Sequence, residues 1–202
     1  MGLSLRHVGI IPDGNRRWAK RHGTSLREAY LRGLQVFEMI ALSLFERGIP
    51  LLTVYALSYE NCIYRDRREL EVLENVLELG LDILKSWVEK NIVAVRFYGE
   101  KNLLSEKLRS RVEELLDSSW SSFRLNVGLC YKHGVDQNNV SQLHPIDLII
   151  RTGGYSRLSG FFPSLSSYAE IYVTEKLWPD FTEGDLEEAI TWFMRQRRNF
   201  GK

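Results

Sequence analysis

Short, unbroken apolar runs recur along this chain at 7–11, 51–57, 92–98, 125–131, 146–150 and 171–174, with helical segments between them. Most of these runs lack polar alternation, the pattern of strands whose two faces are both covered. A sheet with one wet face would alternate apolar and polar residues instead. The spacing therefore predicts an α/β fold with a mainly parallel, about six-stranded sheet covered by helices. No repeat and no low-complexity linker interrupts residues 1–202, so the whole chain reads as a single domain.

The helical segments carry their own punctuation. The first opens with Ser25-Leu-Arg-Glu28, a capping box, and ends near Arg47-Gly48, ahead of Pro50. A second runs from about Asp66 to Lys90 and a third from about Leu103 to Ser118. The last starts at Thr182 and ends in the basic run Arg195-Gln196-Arg197-Arg198. The second helix would be roughly 37 Å long. It carries two apolar stripes: Leu70, Leu73, Leu77, Leu81, Leu84 and Val88, and then Val72, Val76, Leu79, Ile83 and Trp87. One stripe suffices to pack on a sheet. The other calls for a neighbouring helix, a partner subunit or a lipid-like chain.

Composition removes several classes of function. With 27 basic and 26 acidic residues there is no global field for a nucleic acid, so phosphate recognition has to come from local clusters. The four histidines show no zinc-ligand spacing. Cys62 and Cys130 are too few and too far apart for a disulfide framework, which fits a reducing cytosol. No apolar run reaches membrane-spanning length, and residues 1–6 lack a signal-peptide core. The expectation is a soluble, cytoplasmic protein whose 44% hydrophobic content leaves room for an apolar pocket beside the core.

Three strand ends carry chemistry. After the first run comes Pro12-Asp13-Gly14-Asn15-Arg16-Arg17-Trp18, which sets a metal-seeking carboxylate, phosphate-seeking cations and an apolar side chain at a strand's carboxyl end. In open α/β sheets ligands bind there. Read alone, Asp-Gly-Asn is an ordinary turn. A second cluster, Asp147-Leu-Ile-Ile-Arg151-Thr152-Gly153-Gly154-Tyr155-Ser156-Arg157-Leu158-Ser159, gives it weight. Its glycines let a backbone approach an anion, and Arg151, Arg157 and Ser159 are residue types that grip phosphate oxygens. Glu170, opening the last run, could form a carboxylate pair with Asp13, and two carboxylates with phosphates are the usual holders of Mg²⁺. The third strand end, Tyr55-Ala-Leu-Ser58-Tyr-Glu60-Asn61, offers hydrogen-bonding groups suited to a diphosphate, although alone it reads as a plain loop.

Taken together, these segments resemble the cis-prenyltransferases, the undecaprenyl and polyprenyl diphosphate synthases. The likeness rests on residues 7–20, Tyr55–Asn61, Asp147–Gly154, Tyr168–Thr174 and Leu177-Trp-Pro-Asp-Phe181, in the same order and spacing, over nearly the whole chain. It implies a dimer, Mg²⁺ dependence, an apolar prenyl tunnel, and condensation of an allylic diphosphate with isopentenyl diphosphate to give a Z double bond. For long products it also implies peripheral membrane contact. On this resemblance Asp13 and Asn15 would be catalytic. Gly14, Asn15, Arg16, Arg17, Trp18, Ser58, Glu60 and Asn61 would bind the allylic diphosphate, with Trp18 walling its tail. Arg151, Arg157 and Ser159 would clamp isopentenyl diphosphate, while Asp13 and Glu170 share the metal.

The chain departs from the family pattern at several points. Tyr155 stands where the family has Glu, Gly160 opens a segment where it has Asn-Phe-Leu, and Cys62 replaces its Trp. Leu26 and Tyr30 replace an Arg and a His, with Arg27 adjacent as a substitute. The stretch from Lys132 to Pro145 is shortened to a polar loop. The tail reads Asn199-Phe-Gly where the family's Arg-x-Gly reaches the partner's site, with Arg197 and Arg198 as compensating cations. The reading from sequence is an active, atypical prenyltransferase forming a homodimer, with room for a different donor, acceptor or condensation regiochemistry. Its alternative is a non-catalytic subunit that stabilises an orthodox synthase in a hetero-oligomer.

Overall fold

A computed structural model describes residues 4–115 and 121–198. Six strands form one sheet: β1 (His7–Ile11), β2 (Leu51–Tyr55), β3 (Ala94–Tyr98), β4 (Arg124–Gly128), β5 (Leu148–Arg151) and β6 (Glu170–Val173). Their order is β3-β4-β2-β1-β5-β6, and every pairing is parallel. The helices are α1 (Asn15–His22), α2 (Leu26–Glu46), α3 (Tyr59–Tyr64), α4 (Arg67–Glu89), α5 (Glu106–Glu114), α6 (Gln137–Val140), α7 (Pro163–Ser166) and α8 (Glu183–Met194). The predicted strands and long helices are present. α5 is shorter than expected at its start, where Lys101–Leu103 makes a separate 3-10 turn. Its expected run to Ser118 enters 116–120, outside the described residues.

From β1 the chain builds outward to β2, β3 and β4 on one side, then crosses to place β5 and β6 on the other. The carboxyl ends of β1 and β5 are therefore the point where the winding direction reverses, and the register sets Ile11 beside Arg151 there. Helix capping delivers the elements to this edge. Ser25 accepts from the Glu28 N–H at the start of α2, Ser58 from Asn61 at the start of α3, and Asp66 from Arg68 and Glu69 at the start of α4.

The two faces of the sheet are covered differently. Val8, Ile10, Leu52, Val54, Val95, Phe97, Leu125, Val127, Leu148 and Ile150 pack under the long helices α2, α4, α5 and α8. Ile149, Tyr55 and Tyr98 face an aromatic cluster of Tyr131, Phe161 and Phe162, with Val140, Leu143, Ile146 and Leu165. This second face is covered by irregular chain and one-turn helices rather than by the helices expected. The segment that reads as a polar loop thus tucks Val140 and Leu143 into the core. Gly9 makes room for the aromatic cluster, since a Cβ there would come within 2.7 Å of the Phe161 ring.

Cys62 on α3 and Cys130 after β4 form a disulfide, with their Cα atoms 5.8 Å apart. This corrects the expectation of two separate thiols. Their separation of 68 residues in sequence is no obstacle, because β2 and β4 are neighbours and Ser58 bridges to Tyr131. Closing so long a loop restricts the unfolded chain, at about 4 kcal/mol. Reducing the bond, or replacing Cys130 with Ser, should lower unfolding free energy by that order in urea titrations. Equal stability of the oxidised and reduced protein would refute the assignment.

A buried polar row crosses the second face. His7 Nε2 lies 2.7 Å from Thr53 Oγ1, its Nδ1 lies 2.7 Å from the His144 carbonyl, and Asn126 Nδ2 donates to Thr53. Burial lowers the His7 pKa from 6.5 to about 4, so the ring is neutral in the fold at pH 7. The unfolded chain takes up a proton below about pH 6.5 that the folded ring refuses. Stability is therefore full above that pH and falls as pH drops toward 4, by an order of 3 kcal/mol from this ring. Denaturation at pH 7, 5.5 and 4 should show the loss, and His7→Gln should remove this component of the slope.

Candidate active site

At the β1–β5 edge the chain binds itself together before it binds anything else. The Thr152 hydroxyl donates to the Asp13 carbonyl at 2.7 Å and accepts from the Asp13 N–H at 2.9 Å. Arg151, with only 3% of its side chain exposed, sets Nη2 3.0 Å from Asp13 Oδ2. Arg17 approaches the other carboxylate oxygen at 3.2 Å and donates to the Gly153 carbonyl at 2.8 Å. Gly153 has φ 83°, and a Cβ there would collide with the Arg17 guanidinium at 2.2 Å. The second strand end therefore needs glycine so that the arginine of the first can cross over it.

Arg151 continues outward. Its Nη1 donates to Ser159 Oγ at 3.0 Å and to the Arg157 carbonyl, which curls the 153–159 loop around the guanidinium. Gly14, with φ 119°, starts α1 without a side-chain cap. The first-turn N–H groups of α1 have no intrahelical acceptor and, with the helix dipole, favour an anion. Two buried polar atoms, Asn15 Oδ1 and Arg151 Nε, have no hydrogen-bond partner among the described residues. Buried groups of this kind cost free energy unless something supplies the missing partner.

These residues form the mouth of a cavity of about 750 Å³. Asp13, Gly14, Asn15, Arg16, Arg17, Ser58, Asn61, Arg151, Arg157 and Ser159 all line it. Below the mouth the walls turn apolar, with Leu34 and Phe37 of α2, Val54, Phe97 and Val127 of the sheet, and Leu73, Val76, Leu77, Gly80, Leu81 and Leu84 of α4. From Leu73 to Leu84 the helix descends about 16 Å. The two stripes read on this helix thus resolve into one lining face, while Leu79 is exposed and Ile83 half-buried.

The mouth also holds residues absent from the predicted set: Lys20, Tyr30 and Arg65. Buried Glu69 ties Tyr30 and Arg65 to Arg16, accepting from the Tyr30 hydroxyl at 2.8 Å and pairing with Arg65 at 3.3 Å and Arg16 at 3.5 Å. Burial raises the Tyr30 pKa, so its phenol stays a donor. The available signal was the four-residue spacing of Arg65 and Glu69 across the start of α4.

Five residues lie elsewhere within the chain than expected. Trp18 does not wall the cavity; its indole donates to Asp180 at 2.7 Å and stacks on His22, on the outer side of α1. Glu60 and Arg27 are exposed and do not line the cavity. Glu170 does not meet Asp13 within the chain. It opens β6 opposite Leu148, so it lies at the amino edge of the sheet, 3.9 Å from Arg198. Parallel strands put their first and last residues at opposite edges. Arg198 is held within its own chain by Asp147 at 2.7 Å and by the Tyr168 carbonyl at 2.9 Å, and so does not supply the expected compensation. Asn199-Phe200-Gly201 lies outside the described residues.

A parallel α/β sheet with an arginine-rich mouth over an apolar tunnel defines an enzyme class that handles an anionic head on a hydrocarbon tail. The chain belongs to the family described as putative undecaprenyl diphosphate synthase, whose model matches residues 11–141 and 132–201. It is 37% identical to the geranylgeranyl-diphosphate-specific tritrans,polycis-undecaprenyl-diphosphate synthase of Aeropyrum pernix, over 98% of each chain. An isoprenyl transferase of Rickettsia prowazekii is 27% identical over 98% of this chain and 99% of its own. Among solved structures, lavandulyl diphosphate synthase from Lavandula x intermedia, in complex with dimethylallyl diphosphate, superposes with a TM-score of 0.84 at 28% identity, covering 98% of each chain.

Asp13 is the one carboxylate lining the mouth among the described residues, so Asp13→Ala strands two guanidiniums, one of them almost wholly buried, and should lower the melting temperature while the fold stays populated at about 25 °C. Circular dichroism should be unchanged while prenyl transfer falls by at least a hundredfold, on the order expected for removing a group that stabilises developing charge. Normal turnover by the folded variant would exclude Asp13 from the chemistry.

Proposed function

We propose that this chain is a cis-prenyltransferase that condenses an allylic prenyl diphosphate with isopentenyl diphosphate, releasing diphosphate and extending the chain by one Z unit. The observation that carries this reading is the continuity of one cavity from the Asp13–Arg17–Arg151 mouth to the apolar walls of α2 and α4. Such a site suits a diphosphate head with a hydrocarbon tail. The retained pairings at the mouth also speak against the alternative of a non-catalytic subunit, which has no physical need for them.

In this reading the α1 N-terminus, Arg17, Ser58 and Asn61 bind the allylic diphosphate, with Arg16 and Arg65 beside it. Arg151, Arg157 and Ser159 hold isopentenyl diphosphate. Fixing both heads removes much of the entropic cost of bringing two reactants together. The allylic C–O bond breaks with its electron pair going to the departing diphosphate, and the surrounding guanidiniums and N–H groups stabilise that charge. The isopentenyl double bond forms the new C–C bond, and loss of a proton gives the product alkene. In this reading Asn15, which lines the mouth and keeps a buried oxygen without a partner among the described residues, supports departure or proton removal.

A divalent ion fits the donor set: one partly exposed carboxylate, Asp13, among phosphate-binding groups, with no cluster of three protein ligands among the described residues. Mg²⁺ commonly binds through one or two carboxylates plus substrate phosphates. Held by Asp13, it would neutralise diphosphate charge. Glu170 joins that set only if a partner subunit presents it, since its own chain does not. A homodimer is the proposed assembly, and β6 offers an edge with exposed Ile171 and Tyr168. No helix among the described residues is long and apolar enough to cross a membrane. The Cys62–Cys130 disulfide removes the ground on which a reducing cytosol was expected; we propose peripheral membrane contact when the product is long, and nucleic acid is not a partner.

Mass spectrometry of products from the purified chain with Mg²⁺, isopentenyl diphosphate and a panel of allylic diphosphates tests the proposal directly, and absence of prenyl product with every donor would defeat it. Chelation should abolish turnover without lowering the melting temperature, whereas full turnover in excess chelator would remove the metal from the scheme. Arg157→Ala should weaken isopentenyl diphosphate binding by roughly ten- to a hundredfold, the equivalent of one charge-assisted hydrogen bond. The allylic donor should be little affected; the reverse result would exchange the two subsites.

A further inference from the structure

The two diphosphate subsites converge on one aromatic ring. Tyr155, in the loop after β5, has the guanidinium carbon of Arg157 4.0 Å from its ring centroid, that of Arg17 at 4.9 Å and that of Arg151 at 5.9 Å. All three lie within the range at which a ring quadrupole attracts a cation. Arg17 comes from the first turn of α1, while Arg151 and Arg157 come from the β5 strand end and its loop. Asp13 pairs with Arg17 and Arg151. Among the described residues, no carboxylate pairs with Arg157, so this ring is its recorded partner.

Three guanidiniums this close repel one another, and something has to gather them. A carboxylate would do so by cancelling charge that the diphosphate needs. An aromatic ring attracts each cation while leaving its formal charge intact. With one carboxylate against three guanidiniums, two positive charges remain for the incoming head. The backbone fits this arrangement: Gly153 and Gly154 both have positive φ, and Gly154 N–H and Gly153 N–H are held by the Thr174 and Lys176 carbonyls, which fixes the loop from which Tyr155 projects. Tyr155 is itself 41% exposed, so the ring contributes little to the core.

We infer that Tyr155 is a positioning residue that holds Arg17, Arg151 and Arg157 as a charged clamp shared by the two diphosphate subsites. The inference rests on the reading of the mouth as a prenyl diphosphate site and adds to it the group that organises the clamp.

Binding of isopentenyl diphosphate alone, with no donor and hence no turnover, is the test, measured by calorimetry on the wild type, Tyr155→Phe and Tyr155→Leu. The phenyl ring keeps the cation contacts, so Tyr155→Phe should bind within about twofold of wild type. Tyr155→Leu, similar in bulk but without the π face, should bind roughly tenfold more weakly. Its Michaelis constant for isopentenyl diphosphate should rise by a similar factor, with a smaller change in kcat and an unchanged melting temperature. Equal binding by the Leu variant and wild type would overturn the inference, as would a Phe variant as weak as Leu. A wild type that binds isopentenyl diphosphate but forms no prenyl product with any donor would instead defeat the proposed reaction and leave the clamp assignment standing. A wild type that binds none would overturn both.

Discussion

The Asp13–Arg151 contact is the constraint on which the rest of the site depends. It joins the residue two past the end of β1 to the last residue of β5, across the point where the winding of the sheet reverses. Arg151 is almost wholly buried, and an unpaired charge there would be expensive. Asp13 answers that charge while the paired hydrogen bonds of Thr152 fix the Asp13 backbone. Everything further out inherits its position from this pair: Arg17 over Gly153, Ser159 on Arg151, and the curl of the loop that carries Tyr155 and Arg157.

Close backbone approaches shape the tunnel. A Cβ on Gly33 would meet the Asn15 amide oxygen at 2.7 Å, so α2 passes close to the start of α1 and the mouth sits directly on the apolar channel. The Trp178 indole donates to the Gly33 carbonyl at 2.9 Å and braces the same crossing. Further down, a Cβ on Gly80 would sit 3.2 Å from Leu34, which marks where α4 and α2 draw together. The channel is thus bounded by helix spacing as much as by side-chain bulk. The Cys62–Cys130 disulfide ties α3, which carries Asn61 and precedes Arg65, to the strand end beside it.

Much of this was legible beforehand, and for identifiable reasons. Buried parallel strands write themselves as apolar runs, so the sheet was visible; glycines and arginines at strand ends point to an anion site because strand ends at a switch point are where ligands bind. Asp13, Asn15, Arg17, Arg151, Arg157 and Ser159 do gather at one mouth. Trp18, Glu60 and Glu170 do not, and in each case the reason is direction rather than identity. Trp18 follows Arg17 by one residue on a helix and so faces elsewhere by about 100°, a rotation that a list of neighbouring residues conceals. Glu170 opens its strand, and a parallel sheet sends that end away from the site. The disulfide was missed because sequence separation says nothing about which strands become neighbours.

The sequence by itself determined the alternation of strands and helices, the chemical character of each strand end and, through its motifs, the family. These depend on local periodicity and residue type, which are properties of the linear chain. Only the tertiary structure decided which strand ends share an edge, that Glu69 gathers Arg16, Tyr30 and Arg65, and that one tyrosine ring collects arginines from α1 and from the loop after β5. Such groupings depend on strand order and helix orientation, set by packing among residues more than a hundred positions apart, as Asp13 and Arg151 are.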